Sequence, residues 1–112
     1  MQVREARKGG DAQKRIQDNM LLAFSNVMPR VDAAYAARAA EAPEGFEDRI
    51  NFWHRECGMR SELKGRLHSL RVWSNAARHH DAGRWRRDGP RSEAEASQLV
   101  AAVHAALEAL GC

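Results

Sequence analysis

The chain has 112 residues, 44% of them apolar and 29% charged, with a net charge of +3. That is the size of one domain, able to bury somewhat over 60% of its unfolded surface without disulfide staples. Three prolines, eight glycines and few β-branched residues leave little material for strands, so an all-α chain is expected. No apolar run approaches the roughly 18 residues of a membrane helix, and the first residues lack the apolar segment of a secretory signal. Two cysteines, Cys57 and Cys112, make no disulfide framework. A soluble, reducing, cytoplasmic setting without a membrane role is the expectation.

Residues 1–10 are charged and close on Gly9-Gly10, which reads as a flexible tail before a single helical domain over 11–112. Asp11 can cap a helix over about 12–28, whose Ile16, Met20, Phe24 and Val27 recur at helical spacing. Pro29 lacks an amide donor and should kink or end that helix at Met28. The alanine-rich stretch from Asp32 to Ala42, with Tyr35, should resume as helix, and Pro43-Glu44-Gly45 reads as a turn.

Phe46, Ile50, Trp53 and Cys57 then form one tight apolar stripe, with Gly58 as the natural C-terminal cap. A longer helix is predicted from about Ser61 to His80, with Leu63, Leu67, Leu70 and Ala77 on its packed side and Trp73 at the edge. Residues 81–91 hold two glycines and a proline and read as a loop. Ser92 and Glu95 have capping-box spacing and open a last helix that ends at Gly111, with Leu99, Val103, Ala106, Leu107 and Leu110 as its stripe. Short connections imply a four- to five-helix antiparallel, up-and-down bundle. Its expected core contains Phe24, Phe46, Ile50, Trp53, Leu63, Leu67, Leu70, Leu99, Val103 and Leu107.

The most informative chemistry lies on the predicted helix 61–80. Arg71, Asn75 and His79 follow one another at steps of four residues, each advancing about 40° around the helix. They form a slanting polar row beside the apolar stripe, and such groups need partners. A bland arrangement is available. Asn75 can bridge backbone groups where helices meet, and Arg71 can pair with Glu62, Asp81 or an N-terminal acid. His79 can close a helix whose carbonyl-rich end favours cations.

The stretch from Phe46 to His79 resembles the HEPN superfamily, most closely its domain-of-unknown-function branch associated with restriction-system subunits. The likeness rests on a short helix ending in Gly58-Met59, then on Leu67, Leu70-Arg71, Ser74-Asn75 and His79 at their spacing. It covers about a third of the chain; the N-terminal half matches only as generic helix. The resemblance implies a helical bundle that dimerises with the polar motif near the two-fold axis. In active members an Arg and a His on that helix cleave RNA without metal. Imidazole there would move a proton at a 2′-hydroxyl or leaving oxygen, and guanidinium would hold the phosphate. This chain departs from the ribonucleases at one point. Their Arg directly precedes the Asn-type position, where Ser74 stands here, and Arg71 lies eight positions before His79.

A second signal adjoins the first. Residues 60–91 carry nine of the eighteen Lys and Arg but only Glu62, Asp81 and Asp88 as acids. Arg78, His80, Arg84, Trp85, Arg86, Arg87 and Arg91 interleave cations with an aromatic ring, a combination suited to single-stranded RNA. The alternative is a solvated basic loop with Trp85 folded onto the bundle. His54 and Cys57 are three apart on a helix, but no second close pair completes a zinc site. Cys57 has no base and orienter and reads as a small core residue. No metal and no cofactor are expected.

These observations favour a HEPN-like interaction module, non-enzymatic or weakly enzymatic, that binds RNA or other nucleic acid through the basic segment and the polar row. It is expected to be a homodimer and an accessory part of a larger protein assembly. A metal-independent endoribonuclease using His79, Asn75 and Arg71, and a protein-interaction bundle with no nucleic-acid role, are the alternatives.

Overall fold

The computed structural model describes the backbone of residues 2–79 and 82–111, with side chains from residue 12 onward in those ranges. Among the described residues five α-helices form an all-α bundle: α1 (Gln2–Ala34), α2 (Phe46–Cys57), α3 (Ser61–Arg78), α4 (Ala82–Asp88) and α5 (Glu93–Ala109). A 3₁₀ helix, Ala36–Glu41, joins α1 to the turn before α2. No strand occurs among the described residues. No described helix is long and apolar enough to cross a membrane.

The first helix is longer than its sequence signals imply. It spans Gly9-Gly10 and runs through Pro29, where a kink or end was expected. Ala6, Arg7 and Lys8 before the glycines and Ala12, Gln13 and Lys14 after them are strong helix formers, and extending a helix is easier than starting one. At Pro29 the packing prevails. Ser25, whose carbonyl loses the proline's missing donor, and Pro29 itself lie on the exposed side. Val27, Met28 and Val31 are all buried on the other side and keep the axis seated on the bundle.

After Ala34 the helix does resume, in the tighter 3₁₀ form. Non-helical backbone at Arg38 (φ −118°) interrupts that segment. Arg38 grips Glu41 with two 2.8 Å hydrogen bonds and donates to the Glu56 carbonyl on α2. This pairing holds the Glu41 carboxyl below the usual carboxylate range.

The second helix ends as its glycine predicts. Gly58 takes a left-handed conformation (φ 76°), and the Met59 amide reaches back to the Trp53 carbonyl at 3.2 Å. Met59 is then buried. His54 donates from Nδ1 to the Met59 carbonyl at 2.6 Å, tying the turn down from the other side.

Every other α-helix touches α3, which is the centre of the bundle. Its buried stripe is Leu63, Leu67, Leu70, Ser74 and Ala77, spaced by four, three, four and three residues. Ser74, Ala76 and Ala77 are small, which lets neighbouring backbones approach the C-terminal half. The Ser74 hydroxyl is buried without a hydrogen-bond partner among the described residues.

Trp53 lies fully buried, stacked on Tyr35 and edge-on to Phe52. Ser92 caps α5 as its spacing predicts, accepting from the Glu95 amide at 3.1 Å. The Glu95 carboxylate reaches the Arg91 amide at 3.5 Å, one residue short of a reciprocal box.

Further expectations are corrected. Phe46 is 44% exposed rather than core, because α2 begins there, and its ring meets the Phe24 ring edge-on, 4.9 Å away. Leu99 is half-buried, and Leu110, beyond the last turn of α5, is exposed. Residues 82–88 are not loop but α4, a short helix anchored by Trp85, which is buried.

Candidate nucleic-acid interface

Arg71, Asn75 and Arg78 on α3 and His79 at its C-terminal cap occupy one side, within an arc of about 100°. The expected row therefore exists as a row. Arg71 and Asn75 are half-buried, and Arg78 and His79 are exposed. Eight residues of helix separate Arg71 from His79 by roughly 12 Å of rise, and the two do not converge.

Arg71 turns instead toward α2. Its Nε donates to His68 Nδ1 at 3.5 Å, and a terminal nitrogen lies 3.8 Å from a Glu47 carboxylate oxygen. The carboxylate it meets is thus Glu47 and not Glu62, while Asp81, like His80, lies outside the described residues. His79 caps the C-terminus of α3, with its amide on the Asn75 carbonyl at 3.2 Å. The Asn75 side-chain amide has no hydrogen-bond partner among the described residues.

The group that sequence reasoning missed is His68. Its Nε2 donates to Asn51 Oδ1 at 2.8 Å while Nδ1 accepts from Arg71, an arrangement that holds the ring neutral. Burial, then the Arg71 and Lys64 charges, lower its pKa, with Glu47 opposing. The signal was present in part: His68 and Arg71 are three apart on one helix, and Asn51 interrupts the apolar residues around Ile50 and Phe52.

A folded-state pKa below the unfolded value means that the unfolded chain binds the proton more readily. Stability should therefore rise with pH through the interval just below the free-histidine value near 6.5. Thermal melts from pH 5 to 7.5 should show this rise, and His68→Gln, which retains a donor for Asn51, should flatten it. An equally steep rise in the variant would assign the dependence to another group.

The cationic corner lies where α3 passes into α4. Arg84 and Arg87 share one carboxylate, Asp88, at 3.9 and 3.4 Å. Arg78, Arg86 and Arg91 are exposed, and none has an ion-pair partner among the described residues. Trp85 is only 8% exposed, so its ring supports α4 from within and does not offer a face for stacking.

The exposed ring nearest this cationic side is Phe46. With Phe24, Met28, Ser25 and Asp32 it lines a groove of about 270 Å³ that has Arg78 at its edge. The Asp32 carboxylate is already paired with Arg49 at 2.8 Å.

No group of three or more metal-ligating side chains occurs among the described residues. Of the His54/Cys57 pair, His54 is engaged with the Met59 carbonyl and Cys57 packs half-buried against the core. Compared with known protein families, with curated proteins and with solved structures, the chain matches none.

Proposed function

We propose that this chain is a helical interaction module that binds single-stranded RNA through the corner between α3 and α4. The observation that carries this reading is charge without compensation: Arg78, Arg86 and Arg91 stand exposed without carboxylate partners among the described residues, near Arg84 and Arg87, which both reach Asp88. Guanidinium groups suit phosphate oxygens, since each fork can hold two of them in place. The resemblance of the Phe46–His79 stretch to HEPN proteins points the same way. It further implies a homodimer within a larger assembly, which sedimentation of the purified chain tests directly.

Anisotropy of a labelled single-stranded RNA of about 12 nucleotides, titrated at several salt concentrations, tests the reading. Binding should weaken as salt rises, with a log–log slope of about −0.7 for each phosphate engaged. Joint replacement of Arg78, Arg86 and Arg91 by glutamine should make that slope shallower by about 2. No binding at low salt would leave the protein-interaction bundle as the better description.

Cleavage is the second reading, kept by the exposed imidazole of His79 beside Arg78. It requires RNA breakdown that EDTA does not inhibit and that His79→Ala abolishes.

A further inference from the structure

The exposed Phe46 ring and the Arg78 guanidinium, which has no ion-pair partner among the described residues, border one groove between α1, the first turn of α2 and the end of α3. We infer that this groove takes one unstacked nucleobase of a bound RNA, with Phe46 against the base and Arg78 on its phosphate. The inference rests on the RNA reading and names the place where a base, rather than the backbone, is held.

Four features carry it. The floor is apolar, formed by Phe24 and Met28, which are both buried. A ring 44% exposed at a helix start is a large apolar surface left in water, and aromatic rings are the usual platforms for bases. The free charge at the edge is positive, because the groove's own carboxylate, Asp32, is neutralised by Arg49. The exposed Ser25 hydroxyl, which also lines the groove, is a polar group able to meet a base edge.

The groove is small, about 270 Å³, which suits a single planar group better than a helix of another protein. The α4 arginines follow Arg78 in the chain and extend the cationic track along which neighbouring phosphates would run.

The test uses the intact chain and two labelled single-stranded RNAs of equal length and charge, one carrying a central run of abasic residues. Wild type should bind the abasic strand about tenfold more weakly. Phe46→Ala should lose about tenfold on the ordinary strand and nothing further on the abasic one, so that the two losses do not add. Phe46→Trp should restore the discrimination, and Phe46→Leu, which keeps apolar volume without a ring, should not. Arg78→Gln should weaken both strands equally.

Full discrimination between the strands in Phe46→Ala overturns the inference while leaving the RNA reading intact. So does a Phe46→Ala chain that no longer self-associates yet binds RNA as before, since the groove then belongs to a second copy. Failure of the wild type to bind either strand removes the RNA reading itself, and this inference with it.

Discussion

Trp53→Ala should destabilise the chain by about 3–5 kcal/mol, the range for truncating a large buried aromatic. Against a domain stability of roughly 5–15 kcal/mol, that loss leaves a protein near its unfolding threshold at 25 °C. Trp53 is fully buried and joins α2 to the Tyr35 segment that follows α1. It stacks on Tyr35 at 5.3 Å, meets Phe52 edge-on at 5.4 Å and lies under the Arg49 guanidinium at 5.3 Å. Alanine removes all of these contacts and leaves a void that the packed neighbours close only in part.

Trp53→Phe separates packing from polarity. The indole Nε1 is buried without a partner among the described residues, so phenylalanine removes an unsatisfied donor along with part of the ring. Its cost should be much the smaller, on the order of 1 kcal/mol, because relief of the unsatisfied donor offsets lost area. Thermal and urea melts followed by circular dichroism measure both. A Trp53→Ala loss below about 1 kcal/mol would show that the ring cluster is not the centre of the core.

Gly89→Ala should loosen α4 and weaken RNA binding together. A Cβ at Gly89 would lie 2.6 Å from the Trp85 carbonyl oxygen and 3.0 Å from two atoms of the Trp85 indole. The glycine amide donates to that same carbonyl at 2.8 Å, so the backbone cannot move away without breaking the bond that closes α4. The effect is steric, since the positive-φ glycines are Gly58 and Gly111 and not Gly89.

Overpacking of this kind costs about 1–3 kcal/mol. A helix of seven residues has little stability of its own, so the loss should appear as local opening of α4. Amide exchange should quicken across Ala82–Asp88 while α1 and α3 stay protected, and affinity for single-stranded RNA should fall with it. Faster exchange with unchanged affinity would mean that the α4 arginines bind without needing their helix.

Both predictions turn on features of unequal visibility in the sequence. Trp53 falls on a stripe with Ile50 and Cys57 at helical spacing, followed by a glycine, and such a pattern has one economical solution. Ser92 three residues before Glu95 is equally local, and the amide it caps is the predicted one. Trp85 is different. Between two glycines, a proline and four arginines it carries no periodicity, and only the surface of the bundle beside it makes burial favourable. Phe46 errs in the opposite direction: its spacing places it on the stripe, but a helix's first residue has no neighbour beyond it.

The chemistry divides along the same line. Positions on one helix are related by a fixed rotation, so the alignment of Arg71, Asn75 and His79 needed no coordinates. Which partner each side chain meets depends on other helices, and α2 supplied Asn51 to a histidine that no motif marked and Glu47 to Arg71.

The amino-acid order alone determined the helical class, the ends of α2 and α5 and the basic character of residues 60–91, because caps, periodicity and charge act over a few residues. Only the packed structure decided that α1 continues through Pro29, that Trp85 is interior and that Arg71 belongs to His68. Those outcomes depend on which buried surface outweighs a local cost, and that balance is struck between segments far apart in sequence.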